Sequence, residues 1–264
     1  MPLGMRGTDM TQESESTSGI QSIVRATQII EMLREHDSLT LTELADKMDI
    51  PTSTAHVYLQ TLQQEGFVVC EDHKYRNGLR FLEYGSHARR KYEIYSAAKP
   101  VLRELAMETG ERAGLGVEEN GKRVLLCVED GTSAVSDNTP IGQFTDMHWT
   151  ALGQCILAHL PPTRRDEIIA ASDLPRATDQ TITDPEELRQ ELADVREQGY
   201  AIEDEEHRDG IRSVCVPILT PDDAVLGSIG LTGPINRFDE TTVGEYVQLL
   251  TDRANVVKLK TVYY

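Results

Sequence analysis

Apolar positions in the first third of the chain recur at helical spacing, in short separated segments. Ile23, Thr27, Ile30 and Leu33 fall on one side of a helix that starts near Ser22. Thr40 and Glu43 have capping-box spacing at the head of a second segment, with Leu41, Leu44, Ala45 and Met48 as its apolar positions. Asp49-Ile50-Pro51 closes that segment, because the residue before a proline avoids the α region. Thr52, Ser53 and Thr54 open a third helix. It is predicted to bury Ala55, Tyr58, Leu59 and Leu62 and to leave Ser53, His56, Val57, Gln60 and Gln64 outside. Gly66 ends it. Phe67 to Cys70, a polar turn and Tyr75-Arg76 then form a short hairpin. Two short helices around a tight turn, followed by a hairpin, predict a winged helix-turn-helix.

The pattern changes downstream. Leu79 to Ala98 reads as one connecting helix, and Pro100 suits the first turn of the next, Val101 to Glu108. Strand-like runs occur at Ala113 to Val117, Arg123 to Val128, Ser213 to Leu219 and Val225 to Thr232. The last two flank Thr220-Pro221-Asp222-Asp223, a turn, and are predicted to pair as an antiparallel hairpin. Asp184-Pro185-Glu186-Glu187 combines a cap, a proline at the first helical position and first-turn acids, and opens a helix to Gln198. Asp239 starts a final helix through Tyr246, Leu249, Leu250 and Val257. Antiparallel strands with helices gathered around them predict an α+β fold. The expected organisation is a disordered polar arm over 1–18, a winged helix-turn-helix over 19–78, a linker helix over 79–98 and an α+β domain over 99–264.

Charge alters the expectation for DNA. The chain has 44 acidic and 26 basic residues, a net charge of −18, and only seven of the basic residues are lysine. Residues 19–85 hold ten acids against six bases, and the third helix has no lysine or arginine. Such a balance opposes nucleic-acid binding in ordinary salt. Either the winged helix contacts protein, or the chain works in concentrated salt. There screening acts within about 3 Å, and counterion release contributes little. The acidic bias runs along the whole chain, which favours the high-salt reading. Arg89-Arg90-Lys91 is the one dense basic run. It is either a solvated helix face or a contact to DNA phosphates beside the wing.

Other classes are poorly supported. Residues 1–18 lack the apolar stretch of a signal peptide, and no run is long enough to span a membrane. Cys70, Cys127, Cys155 and Cys215 form no CxxC pair, which fits reduced thiols in the cytoplasm. Cys155 and His159 are one helical turn apart with His148 upstream. With a carboxylate among Glu203 to Glu206 they offer zinc-like ligands, but no fourth is specified, and no metal is expected. No phosphate-binding or dinucleotide fingerprint and no nucleophile motif is present, so neither cofactor nor catalytic residue is expected.

Two candidate sites remain. Recognition helices enter the major groove by their N-terminal residues, and here these are short hydroxyl residues and a histidine, which suit phosphates and base edges. The DNA-contact set is therefore Thr52, Ser53, Thr54, His56 and Gln60, with Arg25 and the wing residues Lys74 and Arg76. Thr150-Ala151-Leu152-Gly153 places small residues at a helix start, where backbone N–H groups can hold a carboxylate without a cation.

Motifs in order along the chain resemble the IclR family of transcriptional regulators. In the first part these are Ser22 with Arg25-Ala26, Leu41-Thr42-Glu43-Leu44-Ala45, Pro51-Thr52-Ser53-Thr54, Leu59-Gln60-Thr61-Leu62 and Gly66. In the second they are Ala151-Leu152-Gly153 with Ile156-Leu157-Ala158, Thr181-Ile182-Thr183, Gly199-Tyr200-Ala201, Asp204-Glu205-Glu206, Gly210, Pro217 and Gly233-Pro234. The resemblance implies a GAF-like effector domain, with a small organic acid, sugar-derived acid or aromatic held between the sheet and the helix from Ala151 to His159. The implied lining is Ala151, Leu152, Glu203, Ser213, Gly230 and Thr232, with Gly153 added from the helix start. The chain departs from the family at Val57, where arginine is usual, at Gln154, where lysine is usual, at Glu203 for aspartate and at Gly230 for serine. Glu203 suits a ligand hydroxyl, and Gly230 is expected to leave extra room. The implied protein is a homodimer or tetramer on a pseudo-palindromic operator of double-stranded DNA, controlled by a small organic acid of carbon catabolism. The alternative is a small-molecule-binding module whose winged helix contacts protein.

Overall fold

The computed structural model describes residues 19–135 and 139–263. The arm expected over 1–18 lies outside them. The chain divides into two compact units between Tyr84 and Gly85.

In the first unit, α1 (Gln21–Glu35), α2 (Leu41–Lys47) and α3 (Thr52–Gln64) pack around Ile29, Leu33, Leu44, Leu59, Leu62 and Val68. The buried face of α1 differs from the expected one. Ile23 is 59% exposed and Thr27 is exposed, whereas Ile29 and Leu33 are buried. The repeat was visible, but which side of it meets α2 and α3 is a tertiary choice. The capping box on α2 is present: the Thr40 N–H donates to Glu43 Oε2 at 2.8 Å, and the Glu43 N–H to Thr40 Oγ1 at 3.3 Å. Helix α2 ends at Lys47, with Asp49 in the left-handed region, before the proline acts. β2 (Val68–Glu71) and β3 (Lys74–Asn77) form the wing, and β1 (Leu39–Thr40) pairs on the other edge of β3. Asp72 and His73 both have positive φ, as a two-residue primed hairpin turn needs.

The segment expected as one linker helix is broken. Helix α4 (Arg80–Arg90) stops at Lys91-Tyr92, and α5 (Glu93–Thr109) runs straight through Pro100. Pro100 and Ser96 are both exposed, so water can satisfy the Ser96 carbonyl that the proline leaves without a donor. Meanwhile Ala97, Ala98, Val101, Leu102, Leu105 and Ala106 stay buried along one face. Each large apolar side chain buried there contributes about 1.5–3 kcal/mol, enough together to carry the helix past the proline. In the basic run, the Arg89 guanidinium lies 4.5 Å from the centre of the Tyr95 ring, while Arg90 and Lys91 are exposed.

The second unit is built on six antiparallel strands. They are β4 (Arg112–Glu119), β5 (Lys122–Asp130), β6 (Phe144–Thr145), β7 (Ala201–Asp204), β8 (Ile211–Leu219) and β9 (Val225–Pro234), in the order β6-β5-β4-β9-β8-β7. The expected β8–β9 hairpin forms around Thr220 to Ala224. The short β6 and β7 and helix α7 (Pro162–Ala171) were not foreseen. Helix α5 and the final helix α9 (Glu240–Tyr263) cover one face of the sheet, and α6 (Ala151–His159), α7 and α8 (Pro185–Gln198) cover the other. A sheet covered on both faces buries successive residues, which is why β4, β8 and β9 read as nearly continuous apolar runs. Asp184 caps α8 by accepting from the Glu186 and Glu187 N–H groups, and Gly199 ends it at φ +81°. The fold is α+β, with an N-terminal helix-turn-helix and a curled antiparallel-sheet domain.

Candidate functional sites

Helix α3 begins at Pro51 without a side-chain cap, so the hydroxyls of Thr52 and Ser53 are exposed and not tied to the helix end. One turn on, His56, Val57 and Gln60 are exposed, Val57 at 61%. Thr54 and Tyr58 are half-buried, and Ala55, Leu59 and Leu62 anchor the inner face. Arg25 on α1 and Lys74 on the wing are exposed. Arg76 is engaged by Glu71 at 2.7 Å, which lessens its availability for a phosphate. Ile20, Ile23 and Val24 on α1 are exposed apolar side chains, and Ile23 borders a groove shared with Val57 and Tyr58.

In the second unit a cavity opens between the sheet and the start of α6. Antiparallel register aligns four side chains in one row across it. Glu203 on β7 pairs with Ser213 on β8, Ser213 with Thr232 on β9, and Thr232 with Arg112 on β4. Ser213 Oγ donates to Glu203 Oε2 at 2.9 Å, and it lies 3.0 Å from Thr232 Oγ1. At the other end, Arg112 is 8% exposed, donates to the Thr139 carbonyl at 3.3 Å and pairs with Asp130 at 3.5 Å. Buried Arg123 lines the same cavity, as do His207 and Arg208. The row therefore runs from an acid through two hydroxyls to a cation.

Ala151, Leu152, Glu203, Ser213 and Thr232 all line this cavity. Two expected residues do not. The Gly153 N–H is not free, because it donates to Thr150 Oγ1 at 3.1 Å, and the residue is packed against the backbone of Met147. The N–H groups left at the helix start are those of Ala151 and Leu152. Gly230 leaves no extra room, because a Cβ there would overlap the Cys215 side chain lying above it. The glycine makes way for a thiol, not for a ligand. Arg112, Arg123, Thr139, His207 and Arg208 were missed. Arg112 and Arg123 lie on β4 and β5, whose sequences do not reveal which strand lies alongside, and Thr139, His207 and Arg208 lie in loops.

The acid end of the row is unusual. Glu203 is 3% exposed, and burial raises its pKa to about 7, against the opposing hydrogen bonds from the His207 N–H and Ser213. Glu206 behind it is raised to about 8, by burial first and the Glu203 charge second. Gln154 Nε2 donates to Glu206 Oε2 at 2.7 Å and to the His148 carbonyl at 2.8 Å. Near neutral pH the two carboxyls together bear fewer than two charges. The cavity of about 60 Å³ has room for a handful of water-sized groups, which suits a small ligand.

The zinc-like residues do not converge. Cys155 donates to the Cys215 carbonyl, burial raises its thiol above the usual range, and the His159 ring is bonded to the Cys155 carbonyl. No cluster of three or more metal-type side chains occurs among the described residues, and no helix there is long and apolar enough to cross a membrane.

Residues 22–71 match the IclR helix-turn-helix domain, and residues 86–259 match the domain described as bacterial transcriptional regulator IclR C-terminal. A probable HTH-type transcriptional regulator ArcR of Halobacterium salinarum is 32% identical over 246 residues, covering 91% of this chain and 94% of that protein. The crystal structure of the Thermotoga maritima IclR is similar with a TM-score of 0.78 at 28% identity, over 92% of this chain and 99% of that one. An IclR homologue of Microbacterium hydrocarbonoxydans complexed with 4-hydroxybenzoate gives a TM-score of 0.77 at 25% identity, over 91% and 98% of the two chains.

Proposed function

Because the chain belongs to the IclR family of transcriptional regulators, with its helix-turn-helix DNA-binding domain and effector-binding domain, we propose that it reads a specific operator under the control of a short hydroxy acid. The observation that carries the effector class is the transverse row. Arg112 at one end and the Ala151 and Leu152 N–H groups at the helix start suit a carboxylate. Ser213, Thr232 and Glu203 suit hydroxyls at the other end. Short acids of this kind point to carbon or organic-acid catabolism as the regulated process.

On the DNA side, Thr52, Ser53, Thr54, His56 and Gln60 read the groove, and Arg25 and Lys74 are the cations placed to meet phosphates, with Arg76 held partly by Glu71. Concentrated salt accounts for the acidic composition, since polar and shape contacts outlast charge there. The protein acts in the cytoplasm as a homodimer or a tetramer built from dimers, on a pseudo-palindromic operator. The exposed Ile20, Ile23 and Val24 support a self-association surface. The effector shifts an equilibrium between DNA-competent and incompetent arrangements that bind it unequally.

The test is to recover genomic fragments with the full chain at molar salt, then titrate the best fragment with glycolate, glycerate and benzoate. A hydroxy acid that changes fragment affinity, where benzoate does not, is expected. Effector-insensitive binding, or a response to benzoate alone, contradicts the assignment.

A further inference from the structure

Beside the acid pocket lies a second cavity that the proposed function does not use. It is bordered by the Asn120-Gly121 turn, helix α7 and the loop through Leu174. Its volume is about 150 Å³, against about 60 Å³ for the acid pocket. The inner wall is formed by Met147, Leu157, Ile168, Ile169, Leu174 and Leu188, all buried. A cavity of roughly this volume lined by Leu, Ile and Phe takes up benzene; here the inner wall is of that kind, and the outer part of the lining is polar, with Lys122, Asp146, Arg164 and Glu167.

At the mouth Lys122 is paired with Asp146 at 2.5 Å and Arg164 with Glu118 at 2.8 Å, so these charges are already balanced by protein partners. His148 is buried, and burial favours its neutral form; its ring bonds the Pro175 carbonyl at 3.0 Å. The wall itself is held under strain. Leu174 has φ +42°, whereas, Glu205 apart, the other non-glycine residues at positive φ among the described residues are Asp, Asn and His, which tolerate it better. Strain of this kind collects at ligand clamps and switch segments.

The segment 147–151 separates the two cavities. Met147 and His148 line one, and Thr150 and Ala151 line the other. Between them Trp149, the single tryptophan of the chain, lies 5.0 Å from the His148 ring and 5.6 Å from the His207 ring, centre to centre. His207 belongs to the acid pocket.

We propose that this second cavity is a binding site for a neutral, single-ring or comparably compact apolar molecule, with Trp149 reporting its occupancy. The assignment goes beyond the DNA and acid-effector reading and does not depend on it.

The experiment titrates the full chain with benzene and with phenol, followed by calorimetry and by Trp149 emission. Saturable binding with a change in emission is expected. It should be roughly tenfold weaker in Ile168→Phe, which fills the cavity, and undiminished in Arg112→Gln, which alters the acid pocket. Ala171→Phe, at an exposed position on the cavity lip, carries the same test if Ile168→Phe fails to fold. Absence of saturable binding up to the solubility limit overturns the proposal. So does binding that survives both plugging variants and is lost in Arg112→Gln. Binding of benzene with no response to any hydroxy acid would instead remove the effector reading and leave this one standing.

Discussion

Helix α3 presents hydroxyls, an imidazole, a valine and an amide to solvent, and no cation, whereas the acid pocket buries two arginines. The usual placement of charge in a regulator, abundant on the DNA face and sparse inside, is reversed. The physics of screening explains why both can work. An exposed cation loses most of its reach in concentrated salt, while a charge inside a low-dielectric cavity is screened much less. In concentrated salt, as proposed, the pocket would keep ionic recognition that the DNA face would lose.

The largest effect expected from this contrast is in the pocket. Arg112→Gln should weaken a short hydroxy acid by about 2–5 kcal/mol, the cost of leaving a buried anion without its partner. Calorimetry on the full chain at low and at molar salt checks it, and the loss should be similar in both. A defect that disappears in molar salt would mean that Arg112 acts only as a distant charge.

Next in size is a pH effect at the acid end of the row. In the unfolded chain Glu203 and Glu206 return to near 4.5, whereas in the fold they sit at about 7 and about 8. Across that interval the folded state binds more protons than the unfolded one, so stability falls as pH rises from 4.5 to 8 and levels off above. Glu206→Gln should flatten this slope and gain about 1–3 kcal/mol above the window. Urea unfolding on either side of the window is the measurement, and an unchanged slope would refute the assignment of the shift to this pair. The same protonation predicts that a carboxylate ligand binds more tightly below pH 7 than above 8, with uptake of a proton.

On the DNA face, His56→Ala and Gln60→Ala should each lose about 1–3 kcal/mol of operator affinity, the range of a good base contact. Non-specific fragments should be little affected. The smallest effect concerns salt. The slope of log affinity against log salt should be well short of the roughly −6 to −9 set by 6–10 phosphate contacts. Val57→Arg should steepen it by about 0.9 if the new cation meets a phosphate. A wild-type slope already in the steep range would break the comparison from which these predictions come.

What the chain announces in advance is local. The Thr40–Glu43 box, the Asp184-Pro185 helix start and the turn at Thr220 to Asp223 each depend on a few adjacent residues, and each forms as read. What it conceals is non-local. Ile23 and Ile29 are equally plausible core residues until α2 and α3 choose a side. The break at Lys91-Tyr92 carries neither glycine nor proline, and Pro100 is overruled by burial on the opposite face. Ser213 facing Thr232 follows from the length of a hairpin turn. Arg112 beside Thr232 needs two strands that are neighbours only in space. The missing cation was thus invisible for a topological reason. Gly230 was misread because glycine invites the idea of empty space, and here a neighbouring sulfur takes it.

The row from Glu203 to Arg112 also has a kinetic meaning. Its members come from β7, β8, β9 and β4, and the Arg112–Thr232 register joins segments whose closure spans most of this unit. Such long-range pairing carries a loop-closure cost and belongs to the slow part of folding. Until β4 has docked on β9 there is no site to occupy, and a one-residue slip of either strand turns that strand's member of the row to the far face. The acid should therefore leave the folding rate nearly unchanged and slow unfolding instead, acting as a latch on a sheet already assembled.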